Sequence, residues 1–174
     1  MSTGTEVDKV ATENNNVQKN DECENYLADV IEEFKILDDT VDFNRVAAKC
    51  RPIFASKEKI VCELTLEPHH VNSKGTLHGG LTAALTDIVT ARAIGVTVRN
   101  LGMASIEIAV SYLLPVKLEE TIIITATVLK VGRNVAFAEA EFRRKSDGKL
   151  AAKGKHTVAI LPNQPAVNGK VPQY

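Results

Sequence analysis

Asp87 stands in a run whose neighbours Ala83, Ala84, Leu85, Ile88 and Val89 are all apolar. An unpaired carboxylate is costly in such surroundings, and capping does not account for one that lies two turns into a helix. A buried or half-buried carboxylate is a standard nucleophile or general-base candidate. The plainer reading is a narrow solvated stripe shared with Thr90 and Arg92. Just before this run lies Asn72-Ser-Lys-Gly-Thr-Leu-His-Gly-Gly80. Glycines at a helix start leave backbone N–H groups uncovered, and the helix dipole adds partial positive charge, which together can stabilise an oxyanion. Close helix-sheet packing is the competing reason for Gly79 and Gly80. His78 fits a cap, a packing residue or a support for the glycine loop. His69, His70 and His78 match no usual ligand spacing, so no metal is expected. The chain has no GxSxG elbow, and Cys62 reads as packing.

Asp87 is nine residues past His78, which in an ideal helix is roughly 13 Å along the axis and on about the opposite face. The two cannot meet on one helix. If both serve one reaction centre, one of them comes from another subunit, so a dimer with interfacial sites is expected.

The elements that must position these groups follow from periodicity. Tyr26, Leu27, Val30, Ile31, Phe34 and Leu37 recur at helical spacing, which predicts an amphipathic helix over Glu24–Leu37. Strands are expected over Arg45–Phe54 and Lys59–Leu66, as a hairpin, and Pro68–Gly80 reads as a loop. From Leu81 to about Val98 the chain is apolar on nearly all sides, which marks a buried helix. Four strands follow, over Ala104–Tyr112, Thr121–Val131, Val135–Arg143 and Leu150–Leu161, with Asp147-Gly148 as a hairpin signal. The order predicts an α+β fold, an antiparallel sheet against a long central helix, and not a parallel sheet. Residues 1–20 are expected to be a disordered tail, 21–161 the single domain and 162–174 an irregular tail.

The 174 residues carry a net charge of -1, so nothing neutralises a phosphate backbone, and the few aromatics are not interleaved with Lys or Arg. Nucleic acid is therefore not expected. Cys23, Cys50 and Cys62 are an odd number at wide spacing with no secretory segment ahead of them, which fits a reducing compartment. No membrane span is expected, and the expected location is cytoplasmic, with mitochondrial association open.

The stretch HVNSKGTLHGGLTAALTD resembles the signature of HGG-type hotdog-fold acyl-CoA thioesterases. The likeness extends from about Asp21 to Ile160, through ASIEIAVSYLLPVK, ITATVLKVGRNVAFAEAEF and DGKLAAKGKHT. It implies a hotdog fold, a dimer of hotdog dimers, no cofactor, and hydrolysis of medium- to long-chain acyl-CoA. By the same resemblance Gly79 polarises the thioester carbonyl, His78 supports its loop and Asn72 orders the reacting groups. Asp87 of the facing subunit activates water and Ser105 orients it. Coenzyme A contacts are implied at Tyr112 and on the turn carrying Lys130, Gly132, Arg133 and Asn134. A hotdog dehydratase lacks its proline-rich loop here. A non-catalytic acyl-CoA carrier or scaffold has no need of Asp87 and should tolerate Asp87→Asn.

Overall fold

The computed structural model describes residues 25–165. The expected tail over 1–20 lies outside them, as do residues 166–174 of the C-terminal tail.

Residues 25–39 are helical (α1), and Val30, Phe34 and Leu37, spaced four and three apart, are buried as that period requires. The next segment departs from the expected strand over Arg45–Phe54. Phe43–Ala47 is a 3-10 turn, opened by the Asp42 carboxylate, which accepts the Asn44 N–H at 2.7 Å. That local bond competes with strand pairing, and Lys49 follows at φ 64°, so the strand β1 is only Arg51–Ala55. It pairs with β2, Lys59–Thr65. A short 3-10 turn, Pro68–His70, sits in the predicted loop.

The long helix α2 spans Gly79–Thr97 and buries Leu81, Leu85, Ile88, Val89, Ala93 and Ile94 together with Thr82, Thr86 and Thr90. The remaining strands are β3 (Leu101–Tyr112), β4 (Thr121–Val131), β5 (Val135–Arg144) and β6 (Leu150–Pro165). The strand β6 thus runs past Leu161, where an irregular tail was expected, because Pro165 still opposes Leu101 across a register shift. Gly148 adopts φ +69° in the β5–β6 turn, the conformation that the Asp-Gly pair predicts.

The six strands form one antiparallel sheet in the order β1-β2-β4-β5-β6-β3. Strand alternation turns Ile60, Cys62, Leu64, Ile122, Ile124, Ala138, Ala140 and Phe142 inward, where they are all buried. The sheet covers α2, and the fold is the α+β arrangement expected from the sequence. Two consequences bear on function. Within the chain β3 is an edge strand, and its partner β6 carries residues from the far end of the sequence against α2.

Candidate active site

Asp87 leaves α2 on the side facing β3 and is half-buried, its side chain 44 % exposed. The Ser105 hydroxyl, on β3, lies 2.8 Å from its Oδ1. Behind this pair sits His156 of β6, whose side chain is 1 % exposed. Its Nε2 is 3.0 Å from Ser105 Oγ and 3.3 Å from Asp87 Oδ1, and its Nδ1 is 2.6 Å from Thr90 Oγ1. Four side chains from three elements thus converge, and the sheet and helix hold each in place. Burial pushes the His156 ring below the usual histidine range, with Asp87 opposing that shift in part.

A close approach between β6 and α2 makes the convergence. A Cβ at Gly154 would fall 2.5 Å from Thr86 Cγ2 and Oγ1, so only glycine lets the strand lie this near the helix. The stripe of polar residues on α2 is therefore no solvated face. Thr86 and Thr90 are fully buried against β6, and Arg92 turns elsewhere, its guanidinium 5.0 Å from the Phe34 ring.

The second group of residues lies at the start of α2. His78 is the helix cap, and its Nδ1 accepts the Gly80 N–H at 2.9 Å. Its own N–H donates to the His70 carbonyl, and the Leu77 N–H donates to the Val116 carbonyl, which ties the loop to the body of the protein. The Gly79 N–H belongs to the first turn, where no intrahelical acceptor exists. The Tyr112 hydroxyl donates to the Gly79 carbonyl at 2.9 Å. Asn72 orders the preceding loop: its Oδ1 accepts the Lys74 N–H at 2.9 Å, and its Nδ2 donates to Thr76 Oγ1 at 3.0 Å.

An open groove of about 370 Å³ joins these groups. Gly80, Ala83, Ala84 and Asp87, at spacings of three and four, form its floor on α2, and Phe43, Ile108, Val110 and Tyr112 line the rest. The sequence-predicted residues divide accordingly. Asp87 and Tyr112 line the groove, Ser105 binds Asp87, and His78 and Gly79 sit at its end. Lys130, near the end of β4, and Gly132, Arg133 and Asn134, on the β4–β5 turn, lie apart from its lining; the Gly132 N–H donates to the Val135 carbonyl and the Asn134 carbonyl accepts the Ile160 N–H.

His156 and Thr90 were absent from the sequence-based candidates for chemistry. The signal for His156 was its phase, since Ala152, Gly154, His156, Val158 and Ile160 all face inward along β6. A histidine in step with a buried row requires a polar partner.

Known proteins resemble this chain in sequence and in fold. The thioesterase superfamily profile matches residues 74–151. A Caenorhabditis elegans protein named as a candidate esterase is 58% identical over 145 residues, 83% of this chain and 86% of that protein. Acyl-coenzyme A thioesterase 13 of Mus musculus is 40% identical over 126 residues, 72% of this chain and 90% of the relative. The crystal structure of zebrafish thioesterase superfamily member 2 superposes with a TM-score of 0.74 at 40% identity, covering 77% of this chain and 97% of the other.

Proposed function

Because the chain belongs to the thioesterase superfamily and is an acyl-CoA thioesterase, we propose that it cleaves medium- to long-chain fatty acyl-CoA in sites shared between two subunits. The observation that carries this reading is a carboxylate, Asp87, held by Ser105 on the floor of a largely apolar groove. Phe43, Ile108 and Val110 offer that groove the apolar contact a fatty chain needs.

In the proposed reaction the Gly79 N–H donates to the thioester carbonyl oxygen. Asp87 takes a proton from water, the water oxygen attacks the carbonyl carbon, and the oxyanion so formed stays at Gly79. When the intermediate collapses the C–S bond breaks and coenzyme A leaves as the thiolate. Ser105 orients the water, His78 holds the glycine loop, and Asn72 orders the segment before it. Gly79 and Asp87 are eight residues apart on one helix, about 12 Å along its axis, so a single chain does not bring both to one carbonyl. A second subunit resolves this. The edge strand β3 leaves Ile106 59 % and Tyr112 58 % exposed, and an apolar unpaired edge is a template for a second copy of itself. The dimers pair into a tetramer in this reading. Lys130 and Arg133 meet no acid among the described residues, which leaves both cations for coenzyme A phosphates, with Gly132 and Asn134 shaping their turn and Tyr112 at the groove.

The test is release of free coenzyme A from a panel of acyl-CoAs by the wild type beside Asp87→Ala, with fold and oligomeric state checked for both. Activity that peaks on C8 or longer chains and disappears in a still-assembled variant is the expected result. A wild type that binds acyl-CoA but releases nothing above the variant's background would replace the hydrolase with a carrier.

A further inference from the structure

A backbone N–H fixes the state of one buried histidine outside the groove. His70 is 1 % exposed and ends the 3-10 turn Pro68–His70. Its Nδ1 accepts the Glu67 backbone N–H at 3.0 Å, and a backbone amide has a hydrogen to give but no lone pair to offer. Nδ1 is therefore bare, and the neutral ring carries its one hydrogen on Nε2. Among the described residues Nε2 makes no hydrogen bond, so no second contact opposes that assignment.

The turn that this bond holds carries the glycine loop. The His70 N–H donates to the Glu67 carbonyl, and the His70 carbonyl accepts the His78 N–H, both at 2.9 Å. Val71 bridges to Leu77, and the Asn72 N–H donates to the Thr76 carbonyl at 2.8 Å. Residues 70–72 and 76–78 thus form a short antiparallel ribbon, with Gly75 at φ +71° in its turn. His78 ends the ribbon and caps α2, and the next backbone N–H is that of Gly79.

We propose that His70 is a positioning residue for the oxyanion site: its bare Nδ1 locks the turn that holds His78, and proton uptake at that nitrogen unlocks the turn and lowers turnover. The proposal rests on the hydrolytic reading above. A proton on Nδ1 occupies the lone pair that the Glu67 N–H uses, and two hydrogens then face each other across 3.0 Å. A cation on a ring this buried is costly, so uptake comes with opening of the turn. Burial is the largest cause that holds the ring below the usual histidine range; His69 adds to it, Glu67 opposes it, Lys49 adds to it and the Thr65 backbone opposes it. Glu67 and His69 act from the same turn, the His69 ring centroid 3.9 Å away, and Lys49 acts from the segment before β1, its Nζ 2.6 Å from Glu67 Oε1. From α2, His78 meets the turn through its backbone N–H.

The test is kcat and KM against pH for the assembled wild type, His70→Asn and His70→Leu, beside an NMR titration of the ring and of the Glu67 and His78 amides without substrate. The chain has four histidines, and the His70 ring is assigned by its loss in His70→Asn. Asn offers Oδ1 where Nδ1 stands, an acceptor that takes no proton in this range, whereas Leu keeps the bulk and offers none. Wild-type kcat is expected to fall with the midpoint at which the ring titrates, and both amides to shift at that midpoint. His70→Leu should lose kcat on the order of 10²-fold at every pH with KM little changed. His70→Asn should recover most of that loss near neutral pH and lack the acid step. A His70→Leu protein with wild-type kcat, a His70→Asn protein that keeps the acid step, or a ring that titrates without moving the His78 amide overturns the proposal. If His70→Leu does not fold, the His70→Asn profile and the wild-type titration still decide it. A wild type inert toward every acyl-CoA would sink the hydrolytic reading separately, since the ring and amides are read without substrate.

Discussion

Gly154→Ala is expected to damage both stability and turnover although position 154 touches no substrate. The new Cβ would lie 2.5 Å from Thr86 Cγ2 and Oγ1 and 3.1 Å from Thr86 Cβ. Carbon contacts are comfortable from about 3.5 Å, so β6 and α2 must separate locally by roughly 1 Å. Overpacking of this kind costs about 1–3 kcal/mol, and each kcal/mol lowers the midpoint of a chain this size by about 2–4 °C. His156 is two residues further along β6, and the same shift stretches its 2.6 Å contact to Thr90 of α2 beyond hydrogen-bond length. His156 backs Ser105 and Asp87, and a 1 Å misplacement at a reaction centre costs on the order of 10²-fold in rate. Thermal unfolding and coenzyme A release, both on protein of verified oligomeric state, read the two effects. Adding Thr86→Ala removes the clashing atoms but keeps the Thr86 carbonyl that Thr90 uses, so the double variant should regain part of both losses. A Gly154→Ala protein with wild-type midpoint and kcat, or a double variant no better than the single, would refute the claim that this close approach aligns His156.

Two further outcomes follow from the same structure. Burial holds both His70 and His156 below the ordinary histidine value of about 6.5. Unfolding lets those rings bind protons that the folded chain refuses, so their stabilising effect is full above about pH 6.5 and is lost as the pH falls below it. The midpoint should drop between about pH 7.5 and 5.5, and less steeply in His70→Gln; a flat wild-type profile contradicts the assignment. Ile106→Lys places a charge on the exposed edge of β3 and should leave the chain's own fold within about 0.5 kcal/mol while sedimentation reports monomers without activity. An active dimer carrying Ile106→Lys would remove β3 from the interface.

The parts of this protein that the sequence made legible are those whose signal is local. Helix α2 announces itself by eighteen or so residues without a polar face, and β2 and β4–β6 by alternation and by turns such as Asp147-Gly148, because burial on one or all sides acts on consecutive residues. Strand β1 was overestimated since a single side chain, Asp42, captures the Asn44 N–H and starts a 3-10 turn where hydrophobicity alone permits a strand. The same distinction runs through the site. Asp87 stood out against its neighbours, but its setting did not: Thr90 looked like part of a solvated stripe, and only the pairing of β6 with β3 and its packing on α2 place His156 against it. That placement depends on the missing side chain of Gly154, which carries no chemical signal of its own in a sequence. The carboxylate was thus legible because its cost is paid locally, whereas the side-chain cluster behind it is a property of register between elements that the chain brings together from far apart. A variant that leaves every site residue in place and alters only this register is therefore the sharpest probe of how the site works.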